Sequence, residues 1–593
     1  MGIEAFITDI ISRTNKRPDL LLQYLYDIQY QYSSIPQAAI TLLSKKLSLT
    51  ESHIRGVISF YSFLHETPRG NFDLLLSDSI SDHMLGSREL LEQLCNKLGV
   101  TPGIPRSDRR VTVATTSCTG MCDQGPALLV NGWTITRLDT NRITRITELI
   151  ESNTAIEQWP QDFFQVTDNI QRRDILLNDN ANDGDALRAL AERGEENIYG
   201  EIVSSSLRGR GGAGFCTWKK WSLCKQAETE QRYVVCNADE GEPGTFKDRV
   251  LLNSYADRVF EGMTLCAGII GATQGFLYLR GEYRYLREPL QRVLQKRRAA
   301  GLLGKTILGR DGFDFDIEIH MGAGAYICGE ESSLIESLEG KRGIPRNRPP
   351  FPVTQGYCDK PTVVNNVETF MAAASIAVHG ADWFRCAGSE QSTGTKLLSI
   401  CGDCERPGIY EYPFGVSIRQ ILDDCGAKDS QAVQVAGAAG FTIPAEEFDR
   451  LIAFEDVSTG GSFIIFDQSR NLLDMVQNFT SFFVHESCGL CTPCRVGGSL
   501  LKDLVDKVHA GDAGQYDLGE MYSIGMLMRN SSLCGLGTTA PNPVLDTLSK
   551  FPQIYQQRLK QSGYEPAFDL DASLQEAREI SGRDDAAAHI KSE

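Results

Sequence analysis

The sequence predicts a multidomain α/β protein with a helical bundle near each end. Three observations carry that expectation. At 593 residues the chain exceeds what one hydrophobic core can organise. Short apolar strands alternate with helices across about 185–390, the pattern of a layered α/β domain. The flanks, 1–68 and 469–565, carry apolar residues at helical spacing.

Taken in order, 1–68 reads as a helical bundle. Leu21, Leu22, Tyr24, Leu25 and Ile28 share one helix face, the stretch 35–43 repeats the pattern, and Thr50 can cap the helix that follows. From Phe72 the signal changes to strands at 72–76, 111–115 and 127–130, with a helix at 88–98, which makes 69–160 a small α/β sandwich. The Asn- and Asp-rich run 178–185 is a loop by composition. In the central domain, 233–236 and 276–279 are short apolar strands. Phe313, Phe315, Ile317 and Ile319 alternate with polar residues as a half-buried strand would. A compact β-rich module follows over 391–468, with a turn at Pro407 and Gly408. Helices return over 469–565, and a polar, loosely held tail occupies 566–593. No internal repeat is visible.

Composition narrows the function classes. A formal charge of −18 excludes a phosphate-backbone partner, which needs a basic surface. No apolar run reaches the ~18 residues that a membrane span needs. The first residues carry an early acid and no basic stretch, unlike a signal peptide, and Phe6 stands where a myristoylation motif wants Ser or Thr. A cytoplasmic protein without membrane insertion is therefore expected. Seventeen cysteines, an odd count without export signals, point to metal ligands and buried thiols rather than a disulfide framework. Eight histidines make a His-rich metal centre a poor fit.

Cys488, Cys491 and Cys494 form C-x2-C-x2-C, and Cys534 follows 40 residues after Cys494. Three thiolates at that spacing wrap three corners of a cubane, and a remote fourth closes it, so a [4Fe–4S] site is expected. Zinc is the rival, although it more often takes two separated pairs or includes His. Unrelated buried thiols are the bland alternative.

Gly209, Gly211 and Gly214 satisfy G-x-G-x-x-G, but Ser204, Ser205 and Ser206 precede them and make no strand, so the ordinary dinucleotide fingerprint is not met. Glycines there still let backbone press against a phosphate or a flat ring, with Arg208, Arg210, Lys219 and Lys220 adding charge. Two further segments raise the weight of this loop. Asn237, Asp239, Glu240 and Glu242 follow a strand directly, where α/β domains place ligands. Gly322, Gly324, Tyr326, Gly329, Glu330 and Glu331 follow the next strand and open a helix.

With these residues assembled, segments 206–215, 236–249, 322–346, 361–369 and 486–495 resemble the NADH-binding flavoprotein family typified by the 51-kDa subunit of respiratory complex I. The likeness spans about 185–560. Residues 1–150 resemble that enzyme's 24-kDa partner, a helical bundle followed by a thioredoxin-like domain. A chain with both resembles the diaphorase flavin subunits of soluble NAD-reducing [NiFe]-hydrogenases. The resemblance implies FMN held by Gly209, Gly211, Lys220, Asn237, Asp239, Tyr326, Gly329, Glu330, Asn365 and Asn366. It implies an NAD(H) substrate site at Gly212, Phe215, Glu242, Glu330, Glu331 and Phe351, with Phe215 and Phe351 stacking on rings, and Glu242 and Lys220 as catalytic candidates. It further implies that 391–468 is a ubiquitin-like β-grasp module, with Cys401 and Cys404 as structural thiols.

One part departs from the family pattern. The 24-kDa family holds a [2Fe–2S] cluster through C-x4-C and a later C-x3-C. Cys118 and Cys122 supply the second pair, but Ser77 and Asp82 stand at the first, and their hard oxygens replace thiolates poorly. Cys95 sits in the 88–98 helix, out of reach. A domain kept for its shape without a cluster is expected. The implied function is hydride exchange between nicotinamide and FMN, then single-electron exchange with the [4Fe–4S] cluster. Implied partners are a small iron–sulfur subunit and a [NiFe]-hydrogenase heterodimer. The same module could serve an NAD-linked formate dehydrogenase or a respiratory NADH dehydrogenase; a cofactor-free scaffold and a regulatory iron–sulfur protein are the rivals from other classes.

Overall fold

The structure, a computed structural model, describes residues 2–560 and 570–584. The N-terminal bundle contains helices Ile3–Ser12, Leu21–Tyr32, Gln37–Leu47 and Glu51–Phe60. Leu21, Leu22, Tyr24, Leu25 and Ile28 are all buried, as their spacing requires. Thr50 caps the fourth helix by accepting from the His53 N–H at 3.2 Å.

The next domain is built on β1 (Phe72–Ser77), β2 (Val111–Thr116), β3 (Leu128–Val130) and β4 (Trp133–Ile135). The sheet order is β2-β1-β3-β4, with β1 and β2 parallel and the other pairs antiparallel. Helices Ser87–Leu98 and Thr140–Glu151 cover it through Leu90, Leu94, Ile143, Ile146 and Ile150. Cys95 belongs to this apolar core. The fourth strand has three residues, too few for an alternation to show in sequence.

After a connector that carries β5 (Ile170–Arg172), the central domain holds β6 (Tyr233–Ala238), β7 (Gln274–Leu279), β8 (Asp316–Met321) and β9 (Thr362–Asn366). They form an all-parallel sheet in the order β8-β7-β6-β9. Val234 and Val235 on β6 are both fully buried, because layers cover both faces of a parallel sheet. Helices Ala256–Ile270 and Val367–His379 pack tightly at Gly262, where a Cβ would stand 3.0 Å from the Phe370 Cα. β8 begins later than the alternation from Phe313 suggested. The preceding residues fold back on themselves instead, with Gly304 and Phe315 exchanging backbone hydrogen bonds of 2.7 and 2.9 Å and Ile307 N donating to the Phe313 carbonyl at 2.8 Å.

The β-grasp module comprises β10 (Thr395–Gly402), β11 (Gly408–Pro413), β12 (Ser430–Val435), β13 (Phe441–Pro444) and β14 (Ser462–Asp467), with helix Ile418–Cys425 packed on the sheet. Its order is β13-β12-β14-β10-β11-β5, so the connector supplies the sixth strand. Glu411 on β11 secures that graft by accepting from the backbone N–H of Asp174, Leu176 and Leu177 at 2.7–2.8 Å. A C-terminal bundle follows, with Leu472–Glu486, Thr492–His509, Gln515–Ser531 and Asn542–Lys550. In the second of these helices Leu501, Val505 and Val508 are buried and Leu504 half-buried. Leu500 turns outward and is 46% exposed. Of the polar tail, Leu570–Ser581 forms a helix; 561–569 and 585–593 lie outside the described residues. No described helix is long and apolar enough to cross a membrane.

Candidate active site

A cavity of about 520 Å³ opens at the carboxyl ends of β6 and β9, between the central sheet, the β-grasp module and the C-terminal bundle. Among the residues singled out from sequence, Gly211, Gly212, Asn237, Asp239, Glu242, Tyr326, Gly329, Glu330 and Asn366 line it together. Gly212 adopts φ +115°, and a Cβ on Gly211 would stand 3.2 Å from the Asn366 Cβ, so the bare loop backbone forms part of the wall.

The remaining candidates lie around the cavity rather than on its lining. The Gly209 N–H donates to the Phe215 carbonyl and closes the glycine loop. Asn365 accepts from the Trp221 indole at 3.0 Å. Lys220 donates to Glu331 at 3.0 Å and to the Val364 carbonyl at 2.9 Å, so these two predicted ligands pair with each other. Phe215 and Phe351 are 46% and 51% exposed. Glu330, itself on the lining, is the N-cap of helix Glu331–Leu338, accepting from the N–H of Ser332 and Ser333. Arg210 turns inward, donates to the Thr393 carbonyl at 2.7 Å and lies over the rings of Phe384, Phe414 and Phe454.

The cavity wall is rich in carboxyls at unusual protonation balance. Burial pushes Glu242 up to about 7, against hydrogen bonds from the Tyr326 phenol and the Ala439 N–H. Burial and the neighbouring Asp248 push Glu240 up to about 7 as well. Asp239 is raised well above the usual carboxylate range by burial, and its Oδ2 has no hydrogen-bond partner. From the wall inward runs a buried ionic chain. Lys247 meets Asp248 at 2.6 Å and Glu368 at 3.0 Å, and Glu368 meets Lys396 at 2.5 Å. Burial pushes Glu368 up, but Lys396, Lys247 and Arg210 more than offset it, and its carboxyl lies below its ordinary value.

Sequence reasoning assigned no role to several lining residues. Thr245, Lys247 and Asp248 fell within a recognised segment without one. The β-grasp module contributes Ala436, Ala439, Gly440, Phe441, Ser458, Thr459 and Gly460, and the C-terminal bundle adds Gly535, Leu536, Thr539 and Asn542. A usable signal existed in the glycines that flank β14 and follow β12, since Gly437 and Gly461 adopt φ +71° and +126°.

The four cysteines of the C-terminal bundle sit at helix ends. Cys491 is the N-cap of Thr492–His509, Cys494 lies in its first turn, and Cys534 precedes the short helix Gly535–Thr539. Gly537 makes the approach possible: a Cβ there would stand 3.0 Å from the Cys494 Cβ. Cys494 and Cys534 are buried, Cys488 and Cys491 half-buried, and burial pushes Cys494 up to about 11. Among the described residues no three His, Cys, Asp or Glu side chains converge on a single metal ion. Cys534 adjoins Gly535 and Leu536, which line the cavity.

The thioredoxin-like domain differs. Cys118 and Cys122 hold their sulfurs 3.6 Å apart, fully enclosed. Opposite them Asp82 accepts from the Ser77 hydroxyl at 2.6 Å, the Ser79 hydroxyl at 2.7 Å and the Ala127 N–H at 3.0 Å. The four residues present do not fit a [2Fe–2S] cluster, because two are oxygen groups already bonded to each other. Cys401 is buried and Cys404 half-buried, both as free thiols.

Three known families match successive parts of the chain. Residues 7–151 match the thioredoxin-like [2Fe-2S] ferredoxin family, 202–375 the Nuo51 FMN-binding domain, and 474–558 the NADH-ubiquinone oxidoreductase-F iron-sulfur binding region. The NAD-reducing hydrogenase HoxS subunit alpha of Cupriavidus necator is 45% identical over 96% of this chain and 98% of its own length. The chain belongs to the HoxS alpha family. A crystal structure of NAD+-reducing [NiFe]-hydrogenase in the H2-reduced state contains a chain with the same fold, at TM-score 0.89 and 41% identity, covering 97% of this chain and 98% of that one. The NADP-reducing hydrogenase subunit HndC of Solidesulfovibrio fructosivorans is 41% identical over 60% of this chain and 74% of its own.

As a HoxS alpha-family member the chain is a flavin and iron–sulfur oxidoreductase subunit with an FMN-binding domain and a [4Fe–4S] region. The cavity fits FMN on its own chemistry. Asp239 Oδ2 is an orphaned buried acceptor, and the Gly211–Gly212 backbone leaves the room a flat ring or phosphate needs. The four thiols fit a cubane, whose soft irons would take thiolates that burial otherwise keeps protonated.

Proposed function

We propose that this chain is the NAD(H)-oxidising and NAD+-reducing half of a cytoplasmic [NiFe]-hydrogenase, exchanging hydride between nicotinamide and FMN and single electrons between FMN and the [4Fe–4S] cluster. One observation supports the pathway above the rest. The cavity that Asp239 and Glu242 line is also lined by Gly535 and Leu536, the residues that follow the proposed cluster ligand Cys534. Bound FMN supplies chemistry that no side chain can, taking up two electrons with a hydride and releasing them one at a time.

The chain's residues bind and orient. Gly211, Asn237, Asp239, Tyr326, Gly329, Glu330 and Asn366 would hold FMN, with Gly209, Lys220 and Asn365 fixing the loops behind them. Gly212 and Glu242 are placed for the nicotinamide side, and the half-exposed rings of Phe215 and Phe351 leave apolar area for an entering base to cover. Glu331, paired with Lys220, offers a carboxylate for ribose hydroxyls. Glu242, with its value near 7, can hold or release a proton at working pH. Cys488, Cys491, Cys494 and Cys534 would hold the cluster.

The partners proposed are a small iron–sulfur subunit and a [NiFe]-hydrogenase heterodimer. The HoxS alpha subunit matches along 96% of the chain, whereas an NADH-quinone oxidoreductase relative from Mycobacterium tuberculosis matches 62% of it, which favours hydrogenase over a respiratory complex. Purification of the native complex tests this. Nickel in the preparation and NAD+ reduction driven by H2 are expected; a nickel-free complex that reduces NAD+ with formate or passes electrons to quinone would reassign the partner.

A further inference from the structure

The loop around Cys118 and Cys122 is fastened to the cavity by three threads, one half-buried and two buried. The Ser117 hydroxyl donates to Glu486 Oε1 at 2.5 Å, and Glu486 Oε2 accepts from the Tyr326 N–H at 2.9 Å. The Cys118 carbonyl accepts from Arg280 at 2.7 Å, and the same guanidinium donates to the Glu240 carbonyl and pairs with Glu282 at 2.8 Å. Asp123 pairs with Arg249 at 2.8 Å with both side chains fully buried, while the Arg249 N–H donates to Glu240 at 3.2 Å. All three end on Glu240 or Tyr326, and both of these line the cavity.

We infer that Ser117, in the thioredoxin-like domain, is a positioning residue for the flavin and nicotinamide site, acting through Glu486 on Tyr326. Glu486 closes helix Leu472–Glu486, immediately before the cysteine loop, and spends one carboxylate oxygen on each neighbour. Losing the Ser117 hydroxyl strips one oxygen of its donor in a half-buried site and frees the carboxylate to turn. The Tyr326 backbone then loses its fixed acceptor. Its phenol is the group that donates to Glu242, so the displacement reaches the residue placed beside the nicotinamide. The domain without a cluster thus keeps a function in catalysis besides its shape. This inference rests on the function proposed above.

The test uses the whole complex. Ser117→Ala should lower kcat for NADH-to-dye reduction about tenfold, the size of one lost hydrogen bond to a charged group. Flavin content and the thermal midpoint should hold, and the visible circular dichroism of the flavin should change. Ser117→Thr, which keeps the hydroxyl, should restore both signals. The double variant Ser117→Ala/Tyr326→Phe should be no slower than Tyr326→Phe alone, because both act through one phenol. Wild-type kcat and an unchanged flavin spectrum in Ser117→Ala would overturn the inference, as would additive losses in the double variant. Equal losses in the Ala and Thr variants with a lowered thermal midpoint would also overturn it, leaving Ser117 a stability role alone. A wild-type complex inactive with NADH and dye would instead overturn the function on which the inference rests.

Discussion

Two cysteine loops in this chain have met opposite fates. Around Cys488, Cys491, Cys494 and Cys534, helix termini and the bare backbone of Gly537 bring four thiols into one region without giving them partners of comparable strength. Around Cys118 and Cys122 the facing positions are Ser77 and Asp82, and Asp82 collects three donors of its own. The first arrangement needs a soft metal centre to be complete. The second completes itself. In this packed domain the positions facing Cys118 and Cys122 are filled by polar groups that satisfy one another, because buried polar groups left unpaired cost about 1–3 kcal/mol each.

The strongest way to break this comparison is at the first loop. Cys491→Ser should abolish electron delivery to the partner, a loss of at least about a hundredfold, while NADH still bleaches the flavin in stopped flow. Partner-linked turnover that survives would place the cluster off the path. The second loop can be challenged by restoration. Wild-type chain should carry about four irons, and Ser77→Cys with Asp82→Cys should raise this to about six, with a binuclear EPR signal after dithionite that vanishes on Cys118→Ala. An unchanged iron count would mean that more than the two ligands has been lost.

The smallest effect probes the replacement itself. Burial raises Asp82 from 3.8 to about 6 in the folded chain, against hydrogen bonds from Ser77, Ser79 and Ala127. A carboxyl raised on folding binds more protons in the folded than in the unfolded state between those two values. Its stabilising contribution is therefore full below the unfolded value and is lost as pH rises through about 6. Between about pH 4.5 and about pH 7.5 the wild type should lose roughly 2 kcal/mol relative to Asp82→Asn. Parallel stability curves for the two proteins would show that Asp82 does not titrate there.

Sequence legibility follows the same division between local and assembled features. The Cys488 loop was readable because three ligands lie within one short segment, and the Ser77 and Asp82 departures were readable by spacing. Their mutual hydrogen bond was not, since it depends on how strand β1 meets the helix that follows. Asp239 and Tyr326 stood out as polar residues after strands and Gly211 as part of a glycine-rich loop, which are local properties, while Asn366 came only from the family resemblance. Ala439, Ser458, Gly460 and Asn542 reach the cavity only through the docking of other modules. The ionic chain Lys247–Glu368–Lys396 joins residues far apart in sequence, and a lysine or glutamate in isolation reads as solvated surface. β5, three residues in a connector, became a strand only because β11 offered an edge.

The cavity has walls at Gly211 and at Asn542, with floor residues between them. A ribosome delivers the chain in order, N-terminal end first. The glycine loop and the carboxyl floor therefore emerge, and can pack, while the part that closes the cavity is still untranslated. The cavity has no complete lining until the second bundle has docked, so flavin capture is expected as a late step of biogenesis. A ligand that fills the cavity would meet modules from both sides of the β-grasp fold and would tie their unfolding together. Flavin loading thereby reports that the chain was finished correctly, and a truncated product lacking the last bundle is left without this clasp.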